Sequence, residues 1–263
     1  MEHQIKGLLI FGVIFIIIAI VLFILIKLKQ KKSNHLLNNE TSKIGEIIEN
    51  YSSINENYDD GSFSYFAELK GNAISDNPLI TEFSKQDCCY YRSKVIRKYE
   101  VLNKNASGVE SWTKKTDIVS EHENYATDFR IKDKTGEVYV DGTKSKLNVS
   151  KTFSKFERGT SSFLKDLQMS INSSSSSRTI GFTYEEYSIP VNSHLYILGE
   201  VNDRSHKLTI SKPKDKKQPF IISTETEDEM LSDLDKSIRN YKIGMISTAI
   251  IGVGMIIWYL IKV

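Results

Sequence analysis

The chain has 263 residues, 40% of them hydrophobic, and its 35 lysines and arginines nearly balance 33 aspartates and glutamates, giving a formal net charge of +2. This length allows one large or two small domains, and a near-neutral balance without an RNA-reading motif gives nucleic-acid binding little support, so no nucleic-acid partner is expected. Two adjacent cysteines and five scattered histidines (His3, His35, His122, His194 and His206) lack ligand-like spacing, so no metal and no cofactor is expected.

The first strong signal runs from Gly7 to Ile26, 20 residues without a charge. At about 1.5 Å of rise per residue, such a helix covers the roughly 30 Å hydrocarbon core of a bilayer. A cleaved signal peptide is the alternative, but its apolar region is shorter, about 7–15 residues, and ends in a small-residue cleavage site. The lysine-rich IKLKQKK that follows is a stop-transfer pattern, so residues 7–26 are expected to be an uncleaved transmembrane helix. Residues 33–58 read as a polar linker followed by an amphipathic helix. In TSKIGEIIENYSSI, Thr41 or Ser42 is the expected cap, and Ile44, Ile47, Ile48 and Tyr51 fall at helical spacing.

From about residue 60 to residue 240, β signals dominate. SYFAELKGNAIS and CCYYRSKVIRKYEVL predict strands rich in Tyr, Val and Ile. Successive side chains on a strand point to opposite faces, so Cys88 and Cys89 cannot line one pocket without a bulge. Cys89, Tyr91, Ser93 and Val95 form the less charged face and are expected to point inward, with Tyr90 and Arg92 on the other face. Free cysteine packs as a small hydrophobe, so both cysteines are expected to be structural; a reactive thiol, a metal ligand and a strained disulfide between the neighbours are the alternatives. In SEHEN, His122 stands between Glu121 and Glu123 and is expected in a solvated loop, because the sequence identifies no converging ligands.

ATDFRIKDKTGEVYVDG alternates Phe129 and Ile131 before a turn with Val138 and Val140 after it, which predicts a β-hairpin. Asp133 is expected to bond its own backbone there, and Gly136 to supply a positive φ. Residues 160–172 predict a short helix, and NSSSSSR a flexible connection that softly divides the region near residues 170–180. HLYILGEV, KLTISK and PFIIST predict further strands. KPKDKKQP, between the last two, is a charged turn, with contact to anionic lipid headgroups as its alternative role.

TETEDEMLSDLDKSIRNYK has a Thr224 or Thr226 cap, an acidic first turn and late basic residues, an order that suits the helix dipole. It leads into Ile243–Ile261, 19 uncharged residues and the second expected transmembrane helix. Gly244, Thr248 and Gly252 repeat there every four residues, making a face of small side chains that permits close helix packing against the first helix or a second copy of the chain. Seven basic residues flank the inner ends of the two spans (Lys27, Lys29, Lys31, Lys32, Lys236, Arg239, Lys242) against Lys6 and Lys262 outside. This asymmetry predicts a multi-pass protein of the cell membrane with a cytoplasmic central region. Five Asn-x-Ser/Thr sequons are discounted as chance products of an Asn- and Ser-rich chain.

Taken in order, GNAISDNPLITEF, DCCYYRSKVIRKYE, Trp112, DFRIKDKTGEVYVDG, YEEYSIPVNSHLYILGEV and PFIISTETEDEML resemble the GIDE-type domain, over about residues 60–262. That domain sits between two membrane helices and takes its name from membrane-anchored ubiquitin ligases of mitochondria. The resemblance implies an α+β fold, with a β-rich, membrane-adjacent domain between two transmembrane helices. It marks Gly71, Cys88, Tyr90, Tyr91, Trp112, Asp133, Gly136 and Gly199 as motif positions, each expected to be structural. Eukaryotic members resemble ubiquitin ligases because a zinc-binding RING domain follows the second helix. Here Val263 comes two residues after that helix, so a RING-less, bacterial-looking relative is expected.

No G-x-S-x-G elbow, P-loop, H-E-x-x-H or dinucleotide fingerprint is present, so no catalytic residue is assigned. The expected function is a non-enzymatic interaction or scaffolding module at the membrane, integral to the bilayer and engaging an unknown protein partner. Ubiquitin-protein transfer by family label and an oligomeric membrane effector are the alternatives, and homo-oligomerisation through the second helix is one arrangement open to it.

Overall fold

The computed structural model describes residues 2–37, 40–55, 63–159 and 176–262. It divides into two compact units, Thr41–Glu225 and the terminal segments Met1–Glu40 with Thr226–Val263. Helices among the described residues are α1 (Glu2–Leu37), α2 (Ile44–Asn55) and α3 (Glu227–Lys262). The helix expected at 160–172 and the start of the Ser-rich connection lie outside the described residues.

α1 and α3 form an antiparallel pair, and both are long and apolar enough to cross a membrane. In α1 the buried positions Gly12, Ala19, Ile26 and Ser33 recur every seven residues, the repeat that keeps one seam facing a partner helix. The backbones approach closely where two glycines meet. A Cβ on Gly12 would lie 3.1 Å from the Gly252 carbonyl oxygen, and one on Gly252 3.0 Å from that of Gly12. Gly244 makes only an ordinary contact, 3.5 Å from Leu22, and the Thr248 hydroxyl is turned back onto the Gly244 carbonyl. No Gly or Pro interrupts residues 13–37, and α1 continues through Ser33 and Leu36, where a linker is expected from residue 33. α3 starts with a reciprocal capping box: Glu229 N donates to Thr226 Oγ1, and the Glu229 carboxylate accepts from Thr226 N.

The other unit is β-rich. Its strands are β1 (Ser64–Ile74), β2 (Leu79–Ile80), β3 (Asp87–Lys104), β4 (Glu110–Tyr125), β5 (Arg130–Lys132), β6 (Glu137–Val140), β7 (Lys146–Asn148), β8 (Lys151–Arg158), β9 (Ser177–Pro190), β10 (His194–Asn202), β11 (Thr209–Ser211) and β12 (Ile221–Ser223). β1, β5, β6, β11 and β10 pair in that order, and β10 pairs back with β1, closing a five-stranded barrel. Only β6 and β11 are parallel within it. First, second, third, fifth, fourth and back to first is the Greek-key connectivity of OB-type barrels. β12 and β7 extend the sheet from β10.

Inward positions alternate along the strands. Leu69 and Ala73 of β1, Ile131 of β5, Val138 and Val140 of β6, Leu195, Ile197 and Val201 of β10 and Ile210 of β11 form the core. Gly199 also belongs to this lining; a Cβ there would press within 2.9 Å of the Phe220 ring, so its missing side chain makes room for that ring. Helix α2 adds Ile44 and Ile47, with Ile48 and Tyr51 packed beside them.

The cap of α2 corrects the expected one. Thr41 and Ser42 bind Glu68 of β1 instead: Thr41 Oγ1 donates to its carboxylate and Ser42 N to its carbonyl. The helix N-terminus is satisfied from the β5–β6 turn, where Ile44 N donates to Asp133 Oδ2 at 3.0 Å and Gly45 N to Thr135 Oγ1 at 2.8 Å. Asp133 Oδ1 also accepts from Thr135 N and Gly136 N, as the sequence suggests. Gly136 is not in the left-handed region. It is needed for space, because a Cβ there would lie 2.8 Å from Ile48 of α2.

Between β1 and β5, and between β7 and β10, the chain leaves the barrel to build a second, antiparallel sheet ordered β4–β3–β9–β8, with β2 beside the start of β3. The 81–86 turn covers one face. Phe83 packs edge-on to Tyr184 at 5.3 Å, while Glu186, fully buried, accepts from Phe83 N, Ser84 N and Ser84 Oγ.

Burial opposes ionisation of Asp133, but its hydrogen bonds from Ile44, Thr135 and Gly136 outweigh that and hold the carboxyl below its ordinary 3.8. A depressed folded-state value contributes stability that is present above pH 3.8 and lost as pH falls through it. Asp133→Ala should therefore lower stability by about 1–2 kcal/mol at neutral pH, the scale of a lost N-cap. Thermal unfolding of the two proteins in detergent should converge at strongly acidic pH; an equal gap at both extremes would show that the carboxylate charge is not what caps α2.

Candidate functional site

The first turn of β3 anchors the second sheet in the barrel. Cys88 and Cys89 are free and fully buried. Cys89 and Tyr90 both enter the barrel core, together with Ala126 and Ile189. Strict alternation forbids this for consecutive residues, and Tyr90 is expected on the opposite face. A register shift between Cys88 and Tyr90 against β9 reorients the strand. Tyr90 stacks at 4.7 Å from Tyr125, and its hydroxyl donates to Glu123. Tyr91, also buried, accepts from Asn124. Burial pushes both thiols up to about 12, with Glu186 adding to the effect at Cys88 and Cys88 itself at Cys89. The thiolate is the nucleophilic and ligating form, and burial disfavours it at both positions.

At the rim of the barrel lies an open groove of about 510 Å3, and two motif positions, Gly71 and Asp133, are on its wall. The outer face of β1 presents Asn72, which pairs with Lys132 on one side and His194 on the other, so the three stand in one row. Lys70, Lys134 and Asn192 complete the polar lining. Gly71 holds β1 and β5 together here, since a Cβ would collide with the Lys132 carbonyl. Asn192 adopts φ 65° and donates its N–H to Ala73 O at 2.7 Å, fixing the turn before β10. Asp133 spends its oxygens on α2 and its own turn, leaving amide, imidazole and ammonium groups to face the groove.

His122 lies on β4, opposite Ser93, and not in a loop. The exposed faces of β4 hide its strand period from the sequence. Ser93 Oγ donates to Glu82 Oε2 at 2.5 Å, and His122 Nδ1 lies 2.6 Å from Glu82 Oε1. The serine binds the carboxylate rather than the imidazole, so the trio lacks the nucleophile-to-base hydrogen bond of hydrolytic triads. It ties the 81–86 turn to β3 and β4. Trp112 lies near the start of β4, opposite Leu102, with the Arg178 guanidinium 4.2 Å from its ring centre. The structure thus gathers Cys88, Tyr90 and Tyr91 at the base of β3 and Gly71 and Asp133 at the groove, sets Gly136 against α2, and leaves Gly199 in the barrel wall and Trp112 apart. Among the described residues, no three His, Cys, Asp or Glu side chains converge as metal ligands.

These features define an α+β protein in which a barrel-based domain is carried between two apolar helices. The chain belongs to the GIDE family, whose model, described as E3 ubiquitin ligase, matches residues 98–257. That segment begins within β3 and includes Trp112, Asp133, Gly136, Gly199 and the small-residue face of α3; Gly71, Cys88, Tyr90 and Tyr91 precede it. Comparison with curated proteins and with solved structures gave no match.

The cysteines should resist a thiol reagent at pH 7–8 in the folded protein and both react after denaturation. Their raised folded-state values mean that stability is complete below the ordinary 9.0 and is lost as pH rises from there toward about 12. Rapid labelling of the native protein by a bulky disulfide reagent at pH 7 would contradict this burial.

Proposed function

We propose that the chain crosses a membrane twice and acts there as a non-enzymatic interaction module that uses the barrel-rim groove to recognise a protein partner. The groove carries this reading. Asn72, Lys134, Asn192 and His194 line it, and none has a side-chain partner among the described residues. Polar groups on an open concave surface, held by a closed barrel, suit recognition of another chain's charged and amide groups. The family description supports a second reading, ubiquitin-protein transfer. The membrane is proposed to be the cell membrane, with the β-rich domain on the cytoplasmic side, on the strength of the seven-to-two excess of basic residues at the inner ends of the spans.

A photo-crosslinking residue at Asn72 in cells should give a discrete protein adduct that Lys132→Glu with Lys134→Glu suppresses, while the same probe at Lys115 should not give it. Matching smears from both positions would count against the groove. Ubiquitin conjugates assembled by the purified chain with only activating and conjugating enzymes would favour the second reading instead.

Side is read by Ser107→Cys in the exposed β3–β4 turn. The buried native thiols need no removal, and the unmodified chain sets the background. A membrane-impermeant maleimide should label only permeabilised cells; labelling of intact cells would place the domain on the outer side.

A further inference from the structure

The second sheet carries a face of mixed apolar and basic side chains that belongs to neither hydrophobic core among the described residues. Directly paired residues on antiparallel strands share a face, so the register places Ile118, Ile96, Thr183 and Phe156 in one row across β4, β3, β9 and β8. The next rows hold Thr116, Lys98, Gly181 and Arg158, then Lys114, Glu100 and Arg178, and finally Trp112 with Leu102. On the opposite face Val95, Phe182 and Tyr184 are already covered by Phe83 and Phe153. Yet Ile118, Phe156 and Trp112 on this face are 53%, 43% and 40% exposed. A solvated sheet face is ordinarily polar, and clustered exposed apolar side chains mark a contact surface.

The charges choose the occupant. The Lys104–Glu110 pair continues this face beyond Trp112 and Leu102, so Lys98, Lys104, Lys114, Arg158 and Arg178 stand there with only Glu100 and Glu110, an excess of three positive charges on a chain whose total is +2. Arg178 pairs with Glu100 and Lys104 with Glu110, whereas Lys98, Lys114 and Arg158 have no carboxylate partner among the described residues. Lys98 lies 5.0 Å over the Phe156 ring, as Arg178 does over Trp112, so cation and ring are presented together. Trp and the long basic side chains combine an apolar body with a polar or charged tip, the composition of the headgroup layer's protein contacts, and Ile adds wholly apolar surface beside them.

The geometry points to this face as a docking surface for an anionic lipid bilayer. Rings and aliphatic side chains enter the headgroup boundary while the unpaired lysines and Arg158 meet lipid phosphates. This rests on the membrane-crossing part of the proposed function and not on the groove. With both ends of the domain continuous with membrane-crossing helices, the lipid surface is always at high effective concentration. Basic residues near an anionic surface add an attraction that salt screens.

The test uses full-length Trp258→Phe protein, which leaves Trp112 as the sole tryptophan, reconstituted into brominated phosphatidylcholine with or without one part in four of phosphatidylserine. Trp112 emission should be blue-shifted and quenched with phosphatidylserine. Both effects should weaken markedly in high salt, and also with Lys98→Glu and Lys114→Glu at low salt. Salt acts on the unmodified face, so the test does not depend on the charge variants folding. Water-like, unquenched emission in both lipids would overturn the proposal in favour of a protein or solvent face. Quenching equal in both lipids and insensitive to salt would overturn the anionic assignment. A chain that is extracted by alkaline carbonate instead fails the membrane-crossing reading, which separates the two failures.

Discussion

The helix on the barrel is held by one carboxylate. Asp133 sits in a four-residue turn, and its two oxygens serve two structures: Oδ1 closes the turn through Thr135 and Gly136, and Oδ2 takes the first free N–H of α2, 89 residues earlier in the chain. With the helix start pinned there, Ile44 and Ile47 are directed into the barrel core, and Gly136 must lack a side chain so that Ile48 can lie on the turn. The same turn forms one wall of the groove. Core closure, the bare glycine and the groove wall thus share a single electrostatic origin, the satisfaction of a helix N-terminus by the carboxylate of a tight turn.

β3 links the domain's two halves. Its first residues are barrel core, and a register shift lets Cys89 and Tyr90 both be buried; beyond Val95 it becomes the centre of a sheet whose edge strands are mostly exposed. This explains why two neighbouring cysteines are both buried. They fill the junction, where a small apolar side chain fits and ionisation is suppressed by burial. Glu186 plays the matching part on β9, using a buried charge to hold the 81–86 turn through three hydrogen bonds. Such a charge is tolerated only because its acceptor sites are filled.

The barrel has the connectivity of a fold that elsewhere binds many kinds of ligand, and a fold does not confer a function. The groove is described by its own side chains: Lys70, Asn72, Lys132 and His194 are held by strands, and Lys134 and Asn192 by the short turns beside them. The two apolar helices add a separate constraint. Gly12 and Gly252 face each other with no room for a Cβ on either, so the small-residue face of α3 is already occupied at that point by α1 of the same chain.

The sequence by itself determined the features that depend on local pattern: two long apolar helices, the amphipathic period of α2, a threonine cap at 224 or 226 of which the structure uses Thr226, and the hairpin whose Phe129, Ile131, Val138 and Val140 alternate into the core. The ordered blocks also carried the family. β4, β8 and most of β9 were not legible, because strands exposed on one or both faces lack the apolar alternation that a half-buried strand imposes, and only pairing with β3 defines them. The groove was hidden for a different reason. Asn72, Lys132 and His194 are each unremarkable in the chain and become one row through β1–β5 and β1–β10 register. Likewise the cap of α2 and the need for Gly136 depend on a contact across 89 residues. Periodicity records which side of an element is buried; what that side meets is decided only when distant strands pair and the barrel closes.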